Sequence, residues 1–294
     1  MTNFWARREF LKVLPLGFAA AGGYMPLQAR GQAEPSQRKQ GSSVKEVEVN
    51  NLFPTQAPEL VREMVTVSHF DLKRVKELVD ARPSLARAGW DWGFGDWETA
   101  LGAASHMGNR PIAEYLLSKG AVPSLFSAAM LGQLELVKAF VAASPGVERQ
   151  RGPHSITLLA HAKMGGTAAQ PVFEFLQKLG DAGQDEPVPL TGEETAALVG
   201  TYAFGVDGAQ QVVVDADLKM YANSKMYAHA PQLNWTRKGT MTRPLFHLGD
   251  QVFYPAGAPT VRVLFAQESG VMVMTVNDPD AVLVARRTVK PLTS

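Results

Sequence analysis

Residues 99–121 read T-A-L-G-A-A-S-H-M-G-N-R-P-I-A-E-Y-L-L-S-K-G-A. In Leu101-Gly-Ala-Ala104 a leucine is followed by small residues, the combination that lets one helix approach another closely. Gly108 follows where a first helix would turn into a second, and glycine takes up positive φ there at little cost. From Gly108 to Leu117 the apolar residues recur three and four apart, the period of a helix with one buried face. Ser118-Lys-Gly120-Ala121 ends the unit in the same manner. Fainter copies of the second helix begin at Phe70, Gly132 and Gly166, and Leu125-Phe-Ser-Ala128 repeats the first. The anchors 70, 108, 132 and 166 are 38, 24 and 34 residues apart.

This pattern resembles the ankyrin repeat, whose unit is about 33 residues. The first interval then carries an insertion and the second is shortened. Two positions depart from the family: Ala100 replaces the usual proline, and Gly102 the usual histidine. The resemblance covers residues 59–181. It implies stacked helix pairs that hold another molecule, rather than a constellation for chemistry.

Upstream, residues 34–58 are polar and turn-rich and read as a linker. At the N-terminus, Arg7-Arg8 precedes a weakly apolar run from Val13 to Tyr24, which resembles a twin-arginine export signal over residues 1–33. At 12 residues the run is too short for a bilayer-spanning helix, which needs about 20. That resemblance implies a periplasmic or secreted protein, with no membrane contact beyond the signal. The net charge is +1. Loss of residues 1–33 removes four basic residues and one acidic residue, leaving −2 and no footprint for nucleic acid. With no cysteine, disulfides, thiolate metal sites and a cysteine nucleophile are excluded.

Downstream, residues 182–190 form a second linker, and the period then changes. After a short helix at 193–199, nine strand-like runs follow: 201–206, 211–215, 218–222, 233–237, 245–248, 251–254, 260–266, 271–276 and 281–286. Turn signals at Asp207-Gly208, Gly249-Asp250, Ser269-Gly270 and Asp278-Pro279 separate several of them. Consecutive strands without intervening helices predict an antiparallel barrel or sandwich over 191–294. Leu198-Val-Gly-Thr-Tyr202, Val261-Arg-Val-Leu-Phe265 and Val284-Ala-Arg-Arg287 make it similar to the lipocalin-like appendage of serine beta-lactamase-like hydrolases. In that family the appendage carries no catalytic residue. The fold class expected is therefore α+β in two domains, a helical ankyrin-like array followed by a small antiparallel β-barrel or sandwich.

The sharpest local anomaly is Gly89-Trp-Asp-Trp-Gly-Phe-Gly-Asp-Trp97, with three of the five tryptophans in nine residues. Rigid aromatics on a glycine-hinged loop suit a binding hot spot; the alternative is that Trp90 and Trp97 plug the gap between unequal repeats. The protein-binding surface expected comprises Trp90, Asp91, Trp92, Phe94, Asp96 and Trp97, with His106, Met107, Met130 and Leu131 at the repeat junctions. The six histidines include no pair three or four apart, so no helix-borne metal site is expected and no metal or cofactor is assigned. Ser42-Ser-Val-Lys45 mimics a serine hydrolase motif but lies in the polar linker, and no catalytic residue is assigned. The expected function is an exported, non-enzymatic module that binds a protein partner. The alternative is a carrier of a small apolar ligand, using the barrel aromatics Tyr202, Phe204, Tyr221, Tyr227, Trp235, Phe246, Phe253, Tyr254 and Phe265.

Overall fold

A computed structural model describes residues 54–183, 188–217 and 232–288. The signal-like segment, most of the first linker, Ser42–Lys45 and the strand expected at 218–222 lie outside them. The helical half begins with α1 (Pro58–Val67) and α2 (Leu72–Ala81), followed by α3 (Ala100–His106) and α4 (Arg110–Ser118). Next come α5 (Leu125–Met130) and α6 (Leu134–Ala143), then α7 (Leu158–Met164) and α8 (Gln170–Leu179). The second helix of each pair falls where the recurring anchor predicts it. For the last pair a short 3-10 turn, Gly166–Ala169, intervenes between anchor and helix.

Local chemistry starts these helices where they start. The Asp71, Thr99, Asn109 and Thr157 side chains each accept a hydrogen bond from the backbone N–H three residues on. Ser124 and Ser127 cap α5 reciprocally. Such caps satisfy donors that helix geometry leaves orphaned, each worth about 1 kcal/mol. Helices α3, α5 and α7 pack side by side, α2 lies against α4, and α6 against α8. Their shared layer buries Leu101, Ala103, Ala104, Ala128, Ala129, Leu158 and Ala162 almost completely. The alanines allow the close approach that the Leu-and-small pattern predicts.

The insertion before α3 is a structured hairpin of β1 (Gly89–Asp91) and β2 (Trp97–Thr99), with Trp90 opposite Glu98. Helix α9 (Gly192–Leu198) then leads into eight strands. They are β3 (Gly200–Phe204), β4 (Gln210–Asp215), β5 (Leu233–Arg237), β6 (Arg243–Gly249), β7 (Val252–Pro255), β8 (Arg262–Glu268), β9 (Val271–Asp278) and β10 (Ala281–Arg287). Each pairs antiparallel with the next, and β10 returns to β3, so the sheet closes into a barrel rather than a sandwich. Closure leaves no unpaired edge among the described barrel strands. Alternation fills the interior: Val212 and Val214 are buried while Val213 is exposed. Tyr202, Phe253 and Phe265 meet edge to face at ring separations of 5.6 Å, packed with Leu245 and Met274.

Helical half and barrel fall within one compact unit, Asn51–Ser294. On the barrel's outer face Phe246 and Tyr254 stack at 5.0 Å, and with Ala256 they pack on Ile156 and on Ala160 of α7. No described helix is long and apolar enough to cross a membrane.

Candidate functional site

The hairpin assigns its residues by the two-residue period of a strand. Trp97 and Thr99 face outward, whereas Glu98 faces inward and is fully buried. The turn between the strands is unusual backbone. Gly93, Phe94 and Gly95 all take positive φ (108°, 58° and 73°), an expensive conformation for phenylalanine. An Asp91 oxygen accepts from Gly93 N–H at 2.8 Å and steadies the entry. The turn delivers Phe94 to the barrel core, 5.7 Å from the Trp235 ring, beneath the Arg243 guanidinium. It also delivers Asp96 to the seam between the halves, where the carboxylate is 3% exposed.

Asp96 ties three segments together. Its Oδ1 accepts from the His154 backbone N–H at 2.9 Å. Its Oδ2 meets His154 Nδ1 at 2.7 Å and accepts from Arg243 of β6 at 2.9 Å. The same guanidinium donates to the carbonyls of Trp92, Gly93 and Ala256. His154 and Ser155 both hold positive φ, 59° and 61°, on the turn before α7, and the Ser155 hydroxyl accepts from Gly257 N–H at 2.8 Å. Strained backbone on both sides thus converges on one buried polar cluster, a common mark of functional sites.

Behind Asp96, Glu98 is the hub. His106 Nε2, at the end of α3, lies 2.8 Å from Oε1, and His154 Nε2 3.4 Å from the same oxygen. His69 Nε2, just after α1, lies 3.6 Å from Oε2, which also accepts from Trp92 Nε1 at 2.8 Å. One ligand atom from each of His69, Glu98, His106 and His154 lies within 4.8 Å of the other three, and no second such group occurs among the described residues. Their donor set of three imidazoles and a carboxylate is one that suits divalent transition metals.

Burial would raise the Glu98 carboxyl, but hydrogen bonds from His106 and His154 outweigh it and hold the group far below the usual carboxylate range. Burial would lower His154, but Asp96 and Glu98 overcome it and lift the ring to about 9. A raised value means that this ring's stabilisation is complete below about pH 6.5 and fades as pH rises through 9.

His161 on α7 behaves in the opposite sense. It is fully buried beside His106 and Phe126, at ring separations of 6.4 and 4.9 Å, and burial pushes it down to about 3. The Thr157 carbonyl, 2.8 Å from Nδ1, opposes that shift without reversing it. The unfolded chain therefore takes up this proton below about pH 6.5 and the folded one does not. Stability is full above that pH and declines as pH falls. Between pH 6 and 5, His161→Leu is expected to lose less stability than the parent protein by up to one proton's slope, about 1.4 kcal/mol. Urea unfolding at the two pH values measures the difference, and equal losses would show that His161 does not titrate this way.

The chain matches no family model, no curated protein and no solved structure.

Of the expected binding residues, the structure turns several inward. Met130 and His106 are buried, Asp96 and Phe94 serve the seam with the barrel, and Trp92 is half-buried under Arg62. Trp90 is half-buried against the core of the helical half, and Leu131 packs there also. Asp91 and Met107 are exposed, and Trp97 is 67% exposed. Glu98, His69 and His154 escaped the reading by sequence. A spacing rule for histidines on one helix is blind to a cluster drawn from four separate segments. The signal available was the alternation Asp96-Trp97-Glu98, which in a strand puts two carboxylates on one face.

Beside the seam lies a cleft of about 290 Å³ lined by Trp97, Phe126, Arg151, Gly152, Ser155 and Pro259, among others. It is lined by the segments before α3 and α7, by Phe126 of α5, and by Gly257 and Pro259 of the barrel.

Proposed function

We propose that this chain is an exported, non-enzymatic binding protein whose ankyrin-like helix pairs engage a protein partner, with the β-barrel as a fixed buttress. One observation carries the reading. Two residues before the capping side chains of α3, α5 and α7 (Thr99, Ser124 and Thr157) stand Trp97, Val122 and Ser155. Trp97 and Val122 are 67% and 68% exposed, while Ser155 is covered where its hydroxyl meets Gly257. Successive units thus hold large apolar side chains in solvent at one repeat position, and only the last is closed by the barrel. An isolated exposed apolar residue needs no explanation, but recurrence at one repeat position supports a contact surface, and Trp97 also lines the cleft. Export rests on the resemblance of residues 1–33 to a twin-arginine signal and on the absence of cysteine. The carrier alternative gains no support from a barrel interior occupied by Tyr202, Phe253, Phe265 and Met274.

The test is affinity capture from the envelope fraction of the native organism, with parent protein and the double variant Trp97→Ala, Val122→Asp. A partner retained by the parent should be lost by at least about tenfold, since an aromatic hot spot is worth about 2 kcal/mol or more. Circular dichroism should remain unchanged, because neither side chain is part of the core. Equal recovery by both proteins would contradict this surface.

A further inference from the structure

We propose that His69, Glu98, His106 and His154 bind one divalent transition-metal ion through three imidazole Nε2 atoms and the Glu98 carboxylate. The site is independent of the partner surface, because its ligands lie at the root of the hairpin and Trp97 points the other way.

The argument begins with the tautomers. His69 Nδ1 lies 3.1 Å from the Val65 carbonyl oxygen and 3.0 Å from that of Thr66, and both oxygens can only accept. Nδ1 therefore carries the ring proton. In the neutral ring this leaves Nε2 as a bare lone pair, 3.6 Å from a carboxylate oxygen. Two acceptors facing each other in a largely buried pocket repel unless a proton or a metal cation lies between them. His154 has its Nδ1 engaged by the Asp96 carboxylate and its Nε2 facing Glu98, where a metal ion would take the place of the Nε2 proton. A ring whose outer nitrogen is anchored on a carboxylate or a carbonyl, with its inner nitrogen aimed at a shared point, is the arrangement of a metal-bound histidine. His106 supplies a third Nε2 to the same carboxylate.

The spacing suits an ion. In a tetrahedral shell, ligands bonded at about 2.0–2.2 Å stand about 3.4 Å apart. The atoms here lie within 4.8 Å of one another, so the widest pair must close by about 1.4 Å, about 0.7 Å for each side chain. Three nitrogens and one oxygen favour zinc and its neighbours over calcium or magnesium, which take oxygen ligands. The competing reading is a hydrogen-bonded cluster closed by protons alone. It explains the His106 and His154 contacts, but at His69 it requires a second ring proton, on Nε2, facing Glu98 at 3.6 Å.

The experiment uses the untagged full chain, stripped with a chelator and titrated with Zn2+ by calorimetry, with Mg2+ and Ca2+ as controls. One equivalent of Zn2+ should bind and raise the melting temperature, and the controls should do neither. Co2+ should show the visible bands of a low-coordinate nitrogen-rich site. His69→Gln is the decisive variant, because its side chain is 20% exposed and lies outside the core clusters, so the fold should be kept. It should weaken Zn2+ binding by at least about 10–100-fold and alter the Co2+ bands, with the metal-free melting temperature unchanged. Asp96→Asn, which weakens the anchoring of His154 and also the buried pair with Arg243, should weaken Zn2+ binding to a smaller extent and lower the metal-free melting temperature as well. No saturable binding at one equivalent, or binding by His69→Gln equal to the parent's, overturns the site.

Discussion

Replacing Arg243 with methionine is expected to cost about 3–5 kcal/mol of stability, the range for breaking one side of a buried ion pair. The guanidinium is 2% exposed and is satisfied wholly by the seam: Asp96 and the carbonyls of Trp92, Gly93 and Ala256. Methionine matches its length and flexibility but leaves those acceptors facing an apolar stem. Asp96 would keep only His154 as a charged partner, and Phe94 would lose the cation 5.7 Å from its ring. Urea unfolding near neutral pH reads the loss as a fall in midpoint at similar slope. A loss below about 1 kcal/mol would place the pair in water instead of in a dry seam.

The second large effect is expected at Gly132. Its φ is 75°, and a Cβ there would collide with the Ala168 carbonyl. Gly166 offers an internal contrast, with φ of 63° but open space around the position of a Cβ. Gly166→Ala should cost only the left-handed backbone term, about 1–2 kcal/mol. Gly132→Ala should cost that and the displacement of the turn before α8, about 3–4 kcal/mol altogether. Thermal unfolding of the two variants side by side separates the terms. Equal losses would mean that the approach of the two turns is looser than described.

These residues also show why parts of the molecule were legible in sequence and others were not. Gly108 and Gly132 announce turns because positive φ is a local requirement, and helix pairs follow them as read. The barrel strands were legible because alternation such as Val212-Val213-Val214 is local too. The short turn at Ser269-Gly270, with φ of 50° and 80°, falls where its residue types place it. The aromatics of the hairpin at 89–99 are conspicuous in sequence and point to a binding loop. Their destinations depend on partners far along the chain: Phe94 on Trp235, Asp96 on Arg243. No local pattern encodes a contact across 147 residues. The histidine centre was hidden for the same reason, since His69, Glu98, His106 and His154 come from different elements. An interior position for a charged residue conflicts with its usual surface place, and only the assembled seam resolves the conflict.

That seam is the joint on which both the outward face of Trp97 and the inward face of Glu98 depend. A double-mutant cycle between Asp96→Asn and Arg243→Met tests it most directly, because one residue lies in the helical half and the other in the barrel. A coupling of at least about 1.5 kcal/mol is expected for charges in contact in a buried network. Losses that add to within about 0.5 kcal/mol would contradict a helical half and barrel locked together by this hairpin.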